Sequence, residues 1–328
     1  MAKLSKDALL NQVISAVAAG GWQALIVDAT HPFLIRVFRD DQPDLDVRVY
    51  IWNCTHGGGA ARAKDEFRIQ FTGTVPTRHK GEQGVLLGWH AEKGVFVAWD
   101  LSRHEGQASS SPSAQVKEAA LDGASDRSFA IHVKENGEVV VAFRPEYLVD
   151  YILTAGTLHM SGRAQRDLEV LNNLDSLTDA DIGVVADSKR RTVIQTIARR
   201  YRAHDFRQQV LRAYVERCAV CGMQLGLLDA AHIIPVADPR STDEVVNGVA
   251  MCKLHHFAFD SNLLSFNERY DIEVSTTRVA QLRGERLAGG INKFRAALRP
   301  SLLLPPNSRH HPKPRYIRDA RIARCWRP

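Results

Sequence analysis

The sequence is poor in cysteine and has no long apolar segment. Only five of its 328 residues are cysteine, which gives no sign of the disulfide framework of a small secreted protein. No stretch approaches the roughly 20 apolar residues that a membrane-spanning helix needs, and no internal repeat indicates a solenoid or a propeller. These absences favour a globular protein of a reducing compartment, and we expect it in the cytoplasm, away from membranes.

The N-terminal segment imitates a signal peptide, because lysines precede an apolar run. Asp7 and Gln12 interrupt that run, and its apolar residues recur at helical spacing. We interpret the segment as an amphipathic helix that is capped by Ser5 and stopped by Gly20-Gly21.

The chain is long enough for two domains with separate cores. Short β-prone runs, separated by turn residues, predict a β-rich first domain in the form of a small barrel or a strongly bent sheet. A helix is predicted for residues 114–121 within it. The predicted organisation is a β-rich domain at 1–153, a linker at 154–187, a second domain at 188–300 and a basic tail at 301–328.

The segment from Cys218 to Asp260 holds two residue pairs of the metal-binding type. Cys218 and Cys221 are separated by two residues, as are Cys252 and His255. Two pairs of this spacing can close a tetrahedral zinc site from two turns, whereas unrelated core cysteines would have to match it by chance. Four protein ligands leave no open position, so the spacing predicts a structural Zn²⁺.

With His232, Asn247, His256 and Asp260, this segment resembles the HNH nuclease family. The resemblance implies two short strands and a helix around one catalytic metal. It makes His232, near the end of an apolar strand, the general base that takes a proton from water. Asn247 would brace the loop that orients the base. His256 and Asp260, one helical turn apart, would bind a catalytic Mg²⁺ or Mn²⁺.

The sequence departs from the family at two positions. His255 stands where many members carry a fourth cysteine, which leaves open which histidine of the pair binds zinc. Ala231 stands where many members place a metal ligand, directly before the base. Asp229, two residues earlier on the same strand face, could substitute as the ligand or could be a solvated acid at the strand edge. For His232 the alternative is a hydrogen-bonded histidine of the core.

Basic residues are concentrated on both sides of this segment. Between residues 189 and 217 nine Lys and Arg oppose two acids, and after residue 305 seven oppose one. Two such runs around a nuclease-like motif predict a DNA-contact surface, although a single run would be read as a solvated helix face. The candidate DNA contacts in the first run and in a glycine-rich loop are Arg190, Arg191, Arg199, Arg200, Arg62 and Lys64.

The order of the domains resembles that of modification-dependent restriction enzymes, in which a PUA-like, SRA-like or B3-like reader precedes an HNH module. We therefore expect an α+β protein that cuts double-stranded DNA with a catalytic metal, after its first domain has selected modified or specific DNA. A homodimer would serve double-strand cleavage. Two alternatives stay open: an anti-phage nuclease whose first domain senses a small-molecule or phage signal, and a zinc protein that binds DNA without cutting it.

Overall fold

The structure is a computed structural model that describes five ranges of the chain: 3–40, 42–57, 63–106, 112–159 and 163–327. The chain divides into two units, Met1–Tyr201 and Arg202–Pro328. Among the described residues, none of the helices combines the length and the hydrophobicity needed to span a bilayer. Helices and strands occur in both units, which confirms the predicted α+β class.

The first unit contains two sheets and the helices that cover them. Its strands are β1 (Gln23–Asp28), β2 (Phe33–Arg39), β3 (Gln42–Asn53), β4 (Thr55–His56), β5 (Glu66–Gln70), β6 (Gln83–His90), β7 (Val95–Trp99), β8 (Ser113–Lys117), β9 (Phe129–Val133) and β10 (Val139–Phe143). Its α-helices are α1 (Lys6–Ala19), α2 (Leu101–His104), α3 (Glu118–Arg127), α4 (Leu148–Leu158), α5 (Asp179–Gly183) and the first part of α6 (Ser188–Ala213). The 3₁₀ segments are Pro145–Tyr147 and Arg163–Asn173. The predicted N-terminal helix is confirmed, with the Ser5 side chain accepting a hydrogen bond from the Ala8 amide.

The larger sheet has seven strands in the order β1-β2-β3-β6-β7-β10-β9, and the smaller has the order β4-β5-β8. Neighbours in the larger sheet are antiparallel except for β3 and β6. Within the described residues β1 and β9 do not pair with each other, so the sheet is open. Of the two predicted forms, the closed barrel is therefore excluded and the sheet remains.

Both faces of the central strands β6, β7 and β10 are buried, which explains their continuous apolar runs, whereas the edge strand β1 is largely exposed. Alternate residues of a strand point to opposite faces. In β6, Val85 and Leu87 join a cluster with residues of α1 and α4, whereas Leu86 joins a second cluster with residues of α3. The sheet is thus the middle layer of the first unit.

The helix predicted for residues 114–121 is wrong in its first half. Residues 113–117 form β8, and α3 begins only at Glu118. Ala114 and Val116, at 0% and 2% exposure, alternate toward the core and pair with β5. The short alternation becomes a strand because a partner strand is available.

The structure also differs from the linker predicted for 154–187. Leu168, Leu171, Leu174 and Ile182 are at most 3% exposed and belong to the main core of the first unit. The hydrophobic effect of burying these side chains holds the segment against the first unit, because their apolar area leaves water.

The second unit is built around a two-stranded hairpin followed by a helix. Its remaining strands and helices are β11 (Leu228–His232), β12 (Gly248–Cys252), α7 (Lys253–Asp260), β13 (Leu264–Phe266), β14 (Ile272–Val274), α8 (Thr276–Gly284), α9 (Ile291–Ala296) and α10 (Pro314–Ala323). The 3₁₀ segments are Val245–Asn247 and Ser308–His310. The order β11, β12, α7 is the predicted strand-strand-helix module.

The register of β11 against β12 relates the two ends of the motif. Leu228 lies opposite Cys252, and His232 lies opposite Gly248. Cys252 of the second metal-binding pair and the candidate base His232 therefore lie at opposite ends of one hairpin. A slip of one residue in this register would turn every side chain of the strand to the other face.

Gly248 is the position in this hairpin that tolerates no side chain. A Cβ atom there would come within 2.3 Å of Val210 Cγ2 and 2.9 Å of Phe206 Cζ. We expect Gly248→Ala to destabilise the second unit by about 1–3 kcal/mol, because overpacking displaces side chains or backbone. Thermal unfolding of the full chain measures this. Gly284→Ala is the matched control, because nothing lies within 4 Å of that Cβ position; equal melting temperatures for the two variants would contradict the expectation.

Candidate functional site

A cluster of three cysteines and one histidine lies at one end of the hairpin. The ligand atoms of Cys218, Cys221, Cys252 and His255 all lie within 4.8 Å of one another. His255 Nδ1 is 3.6 Å from Cys218 Sγ and 3.1 Å from Cys252 Sγ. The structure thus brings together the four residues that the sequence predicted, with His255 rather than His256 facing the thiols.

The first turn of this cluster depends on Gly222. Its φ of +81° lies in the left-handed region, which favours glycine. The Gly222 amide donates to the Cys218 carbonyl and the Cys218 amide donates to the Met223 carbonyl, both at 2.8 Å. This tight turn directs both cysteine side chains of the first pair to the same side.

The chemistry of the cluster fits a tetrahedral zinc ion. Zinc–sulfur distances of about 2.3 Å and zinc–nitrogen distances of about 2.0 Å place ligand atoms roughly 3.5–3.8 Å apart, which the observed separations approach. Burial raises the pKa of Cys218, but hydrogen bonds from His255 and backbone amides outweigh it and bring that pKa down to about 6. The thiolate is the form that binds metal. Burial raises the pKa of the other two thiols, Cys221 and Cys252, so the ligand types and their separations are what make the Cys₃His set compatible with zinc.

His232 is the last residue of β11 and lies at the end of the hairpin away from the cluster. Its ring is held by a stacking contact on one face and by a hydrogen bond at one nitrogen. The Phe206 ring stacks on it with centroids 3.8 Å apart and an interplanar angle of 16°. Its Nε2 atom lies 3.0 Å from Asp243 Oδ1. Among the described residues Nδ1 has no hydrogen-bond partner, so one ring nitrogen is tied to the protein and the other is available.

Asn247 is fully buried and ties together the loop between the two strands. Its Oδ1 accepts from the Ile234 amide at 3.0 Å, and its Nδ2 donates to the Thr242 carbonyl at 2.8 Å. Its own carbonyl accepts from the Ile233 amide at 2.8 Å. Because the Asn247 side chain forms hydrogen bonds with backbone groups at both ends of the loop, it fixes the point at which the loop leaves the strand, directly after His232.

The two carboxylates near His256 face different ring nitrogens. Asp229 Oδ2 lies 3.6 Å from His256 Nδ1, whereas Asp260 Oδ2 lies 3.3 Å from His256 Nε2. Because one ion cannot occupy both edges of an imidazole ring, all three residues cannot bind one metal in this arrangement.

Asp229 is not a freely solvated acid, since three polar neighbours surround it. Lys253 Nζ and Arg207 Nε lie 2.6 and 3.2 Å from its carboxylate, in addition to His256. Burial alone would raise the pKa of Asp229, but hydrogen bonds from His256 and Lys253 hold it well below its usual value. The carboxylate is therefore ionised, as a metal ligand must be.

Arg324, just after α10, is a site residue that the sequence did not single out. Its guanidinium lies 4.3 Å above the Phe259 ring, and it donates to Asp260 Oδ1 at 3.2 Å and to the His232 carbonyl at 3.4 Å. It thus connects the end of β11 with the end of α7. The basic run at the C-terminus indicated charge there, but spacing could not show which arginine turns inward.

The six candidate DNA contacts have different surroundings. Arg190 is 4% exposed, Arg191 donates to the Val185 carbonyl at 2.9 Å, and Arg200 pairs with Asp150 at 3.4 Å. Arg190 is therefore buried, and the other two are partly buried and bonded to groups of the first unit. Arg199 and Lys64 are exposed, and Arg62 lies outside the described residues.

Comparisons with known proteins agree with the geometry of the second unit. Residues 218–267 match the family described as HNH endonuclease, and residues 45–152 match the family described as methylase-associated X1. No curated protein matches the chain significantly. A solved structure titled modification-dependent TagI restriction endonuclease is similar to it at 12% identity, over 86% of this chain and 82% of that one, with a TM-score of 0.30, which is too low for a comparison of folds. The predicted resemblance is confirmed for residues 218–267: this part of the second unit matches an HNH endonuclease family, which supports a DNA endonuclease.

Loss of the Arg324 guanidinium should impair cleavage without unfolding the protein. We expect Arg324→Ala to slow DNA cleavage about tenfold or more, because groups that orient metal-site residues typically contribute that much. Arg324→Lys should recover only part of the rate, since an ammonium cannot form the same paired contacts. Cleavage rates and circular dichroism measure both effects.

Arg318→Ala in α10 is the control, because Arg318 is exposed and pairs with Glu268 at the surface. Equal cleavage rates for Arg324→Ala and Arg318→Ala would show that Arg324 has no part in the site.

Proposed function

We propose that the chain hydrolyses phosphodiester bonds of double-stranded DNA with a catalytic Mg²⁺ or Mn²⁺ and with His232 as the general base. The observation that carries this proposal is the setting of the His232 ring. With Nε2 donating to Asp243 and Phe206 fixing the ring plane, the lone pair for a proton lies on Nδ1. A base of this kind takes a proton from the attacking water as the water forms its bond to phosphorus.

His256 and Asp229 would hold the catalytic ion, and Asp260 would orient His256. A metal-ligating histidine generally donates its second ring N–H to a carboxylate, and Asp260 stands at that second nitrogen. This revises the direct ligand role expected for Asp260 and favours Asp229 as the ligand in place of Ala231. An ion bound there would neutralise charge on the scissile phosphate and on the leaving oxygen.

The Cys₃His cluster would hold a structural Zn²⁺. Its four protein ligands leave no coordination position for water or substrate, and three of the four residues are at most 3% exposed. Zinc at this point would close the Cys252 end of the hairpin, and His232 lies at its other end.

The first unit would select the DNA. The family that matches residues 45–152 is described as methylase-associated, which agrees with selection by the modification state of a target. In such a division, phosphate contacts supply affinity and the reading of a base supplies the choice of target. Arg199 and Lys64 remain candidate phosphate contacts, because both are exposed.

Removal of the His232 imidazole should abolish cleavage but not DNA binding. We expect His232→Ala to lose about a hundredfold or more in cleavage rate, because a general base acts in the transition state more than in binding. Single-turnover cleavage and gel-shift affinity measure the two effects separately. His310→Ala is the control, since its side chain makes no hydrogen bond or ring contact among the described residues. Cleavage by His232→Ala at the rate of the unchanged protein would refute the assignment.

The substrate choice is tested on one panel of duplexes that are identical in sequence. The panel carries unmodified DNA, 5-methylcytosine, 5-hydroxymethylcytosine or N6-methyladenine, in Mg²⁺ or Mn²⁺ and with His232→Ala in parallel. Cleavage restricted to a subset of these duplexes supports selection by modification. Equal cleavage of all four would contradict selection by modification and would leave the reading of sequence, or the sensing of a small-molecule or phage signal, as the role of the first unit.

A further inference from the structure

A small cavity in the first unit is lined by cations and by no acid. It has a volume of about 170 Å³ and lies where α1 begins beside β3 and β5. Lys3, Lys6 and Arg68 line it together with Trp52, Thr55 and Gln70, and none of its lining residues is Asp or Glu. Three positive side chains around one cavity repel one another, so this arrangement is unfavourable unless an anion enters.

The charges of these cations are not compensated within the described part of the protein. Lys3 and Arg68 have no hydrogen bond or ion pair from their side chains there. Lys6 Nζ donates to the Ile51 carbonyl at 2.6 Å and lies 4.5 Å above the Trp52 ring, without a carboxylate partner. Burial without a counter-charge lowers the pKa of Lys6 to about 8.

The start of α1 adds to the positive potential of the cavity. The helix has 14 residues and begins at Lys6, so Lys6 stands at the positive end of the helix dipole. A lysine at this position is unfavourable for the helix, and a bound anion would reverse that effect. Asp7 is the acid of the first turn, but it is exposed and does not line the cavity.

Trp52, one of the residues that line the cavity, carries a buried donor without an acceptor. Trp52 is 5% exposed, and its Nε1–H has no hydrogen-bond partner among the described residues. Buried polar groups without a partner are rare in native structures, and each needs an explanation. The segment that carries the lysines is held in place, because the Asn53 amide exchanges two hydrogen bonds of 2.9 Å with the Leu4 backbone. The backbone just before α1 is therefore fixed beside the cavity.

We propose that this cavity is a binding site for a phosphate group, carried either by the DNA backbone or by a free nucleotide. Its volume corresponds to about five or six water molecules of ~30 Å³ each, which is room for a tetrahedral oxyanion. Arg68 offers a planar guanidinium, which suits paired contacts with phosphate oxygens, and the two lysines offer point charges. The site belongs to the first unit and does not depend on whether the second unit cuts DNA.

The test follows the indole N–H resonance of Trp52 by ¹⁵N NMR in the full chain, assigned with Trp52→Phe. Inorganic phosphate should shift this resonance saturably, whereas chloride at the same ionic strength should not. Arg68→Gln should weaken phosphate binding about tenfold or more, the usual effect of losing a charge-assisted hydrogen bond. Lys80→Gln is the control, because Lys80 is exposed and lies outside the cavity. An equal shift with chloride, or unchanged affinity in Arg68→Gln, overturns the proposal.

Two further arms identify the source of the phosphate, with His232→Ala as the full-length background to prevent cleavage. If a 12-base-pair duplex shifts the Trp52 resonance and Arg68→Gln weakens duplex binding, the group belongs to DNA. If dAMP binds more tightly than inorganic phosphate and duplex affinity is unchanged in Arg68→Gln, the site takes a free nucleotide. If inorganic phosphate alone shifts the resonance, the cavity holds an adventitious ion only and the proposal fails. A loss of cleavage activity changes none of these readouts.

Discussion

The candidate site depends on one constraint: the Cys/His cluster lies at one end of the β11–β12 ladder, and His232 lies at the other. Cys252 lies opposite Leu228, and four residues along the same ladder His232 lies opposite Gly248. An isolated two-stranded hairpin is marginally stable in water. A zinc ion bound by four protein ligands contributes on the order of 10 kcal/mol of folding free energy in small domains. Metal binding at one end would thereby fix the register that places His232 at the other.

Around that hairpin, side chains mainly hold other side chains in position. Phe206 and Asp243 determine the plane and the tautomer of His232, and Asn247 determines where the following loop begins. Arg324 joins the His232 backbone to Asp260, which in turn contacts His256. Such supporting contacts are what keeps a catalytic arrangement in productive geometry before substrate binds.

The parts of the site that the sequence predicted are those encoded by local spacing. Two pairs separated by two residues, and a histidine at the end of an apolar strand, determine their geometry within one turn or one strand. Arg324 could not be predicted in this way, because it reaches Asp260 from 64 residues further along the chain. Asp229 and Asp260 lie at different nitrogens of the His256 ring, and this arrangement depends on rotamers that the sequence spacing does not specify.

The same distinction holds for the first unit. Strong β-prone runs became strands, and Ser5 caps the first helix as predicted. The segment 114–121 was misassigned because Ala114 and Val116 become strand residues only when β5 pairs with them. Leu168 and Leu171 were placed in a linker because a polar composition concealed apolar residues that reach the core. Likewise, the charge of Arg190 and Arg200 gave no sign that Arg190 is buried and that Arg200 pairs with Asp150.

The most direct measurement is backbone hydrogen exchange of the full chain before and after a chelator removes zinc, together with the zinc content. If the cluster fixes the hairpin, the purified protein contains about one zinc per chain. Its removal should then abolish protection at the amides of Ile233, Ile234 and Ala219, which bond to Asn247 and Ala250. The strands β6 and β7 of the first unit should keep their protection. A folded protein without zinc, or unchanged protection at these three amides after zinc removal, would contradict the account.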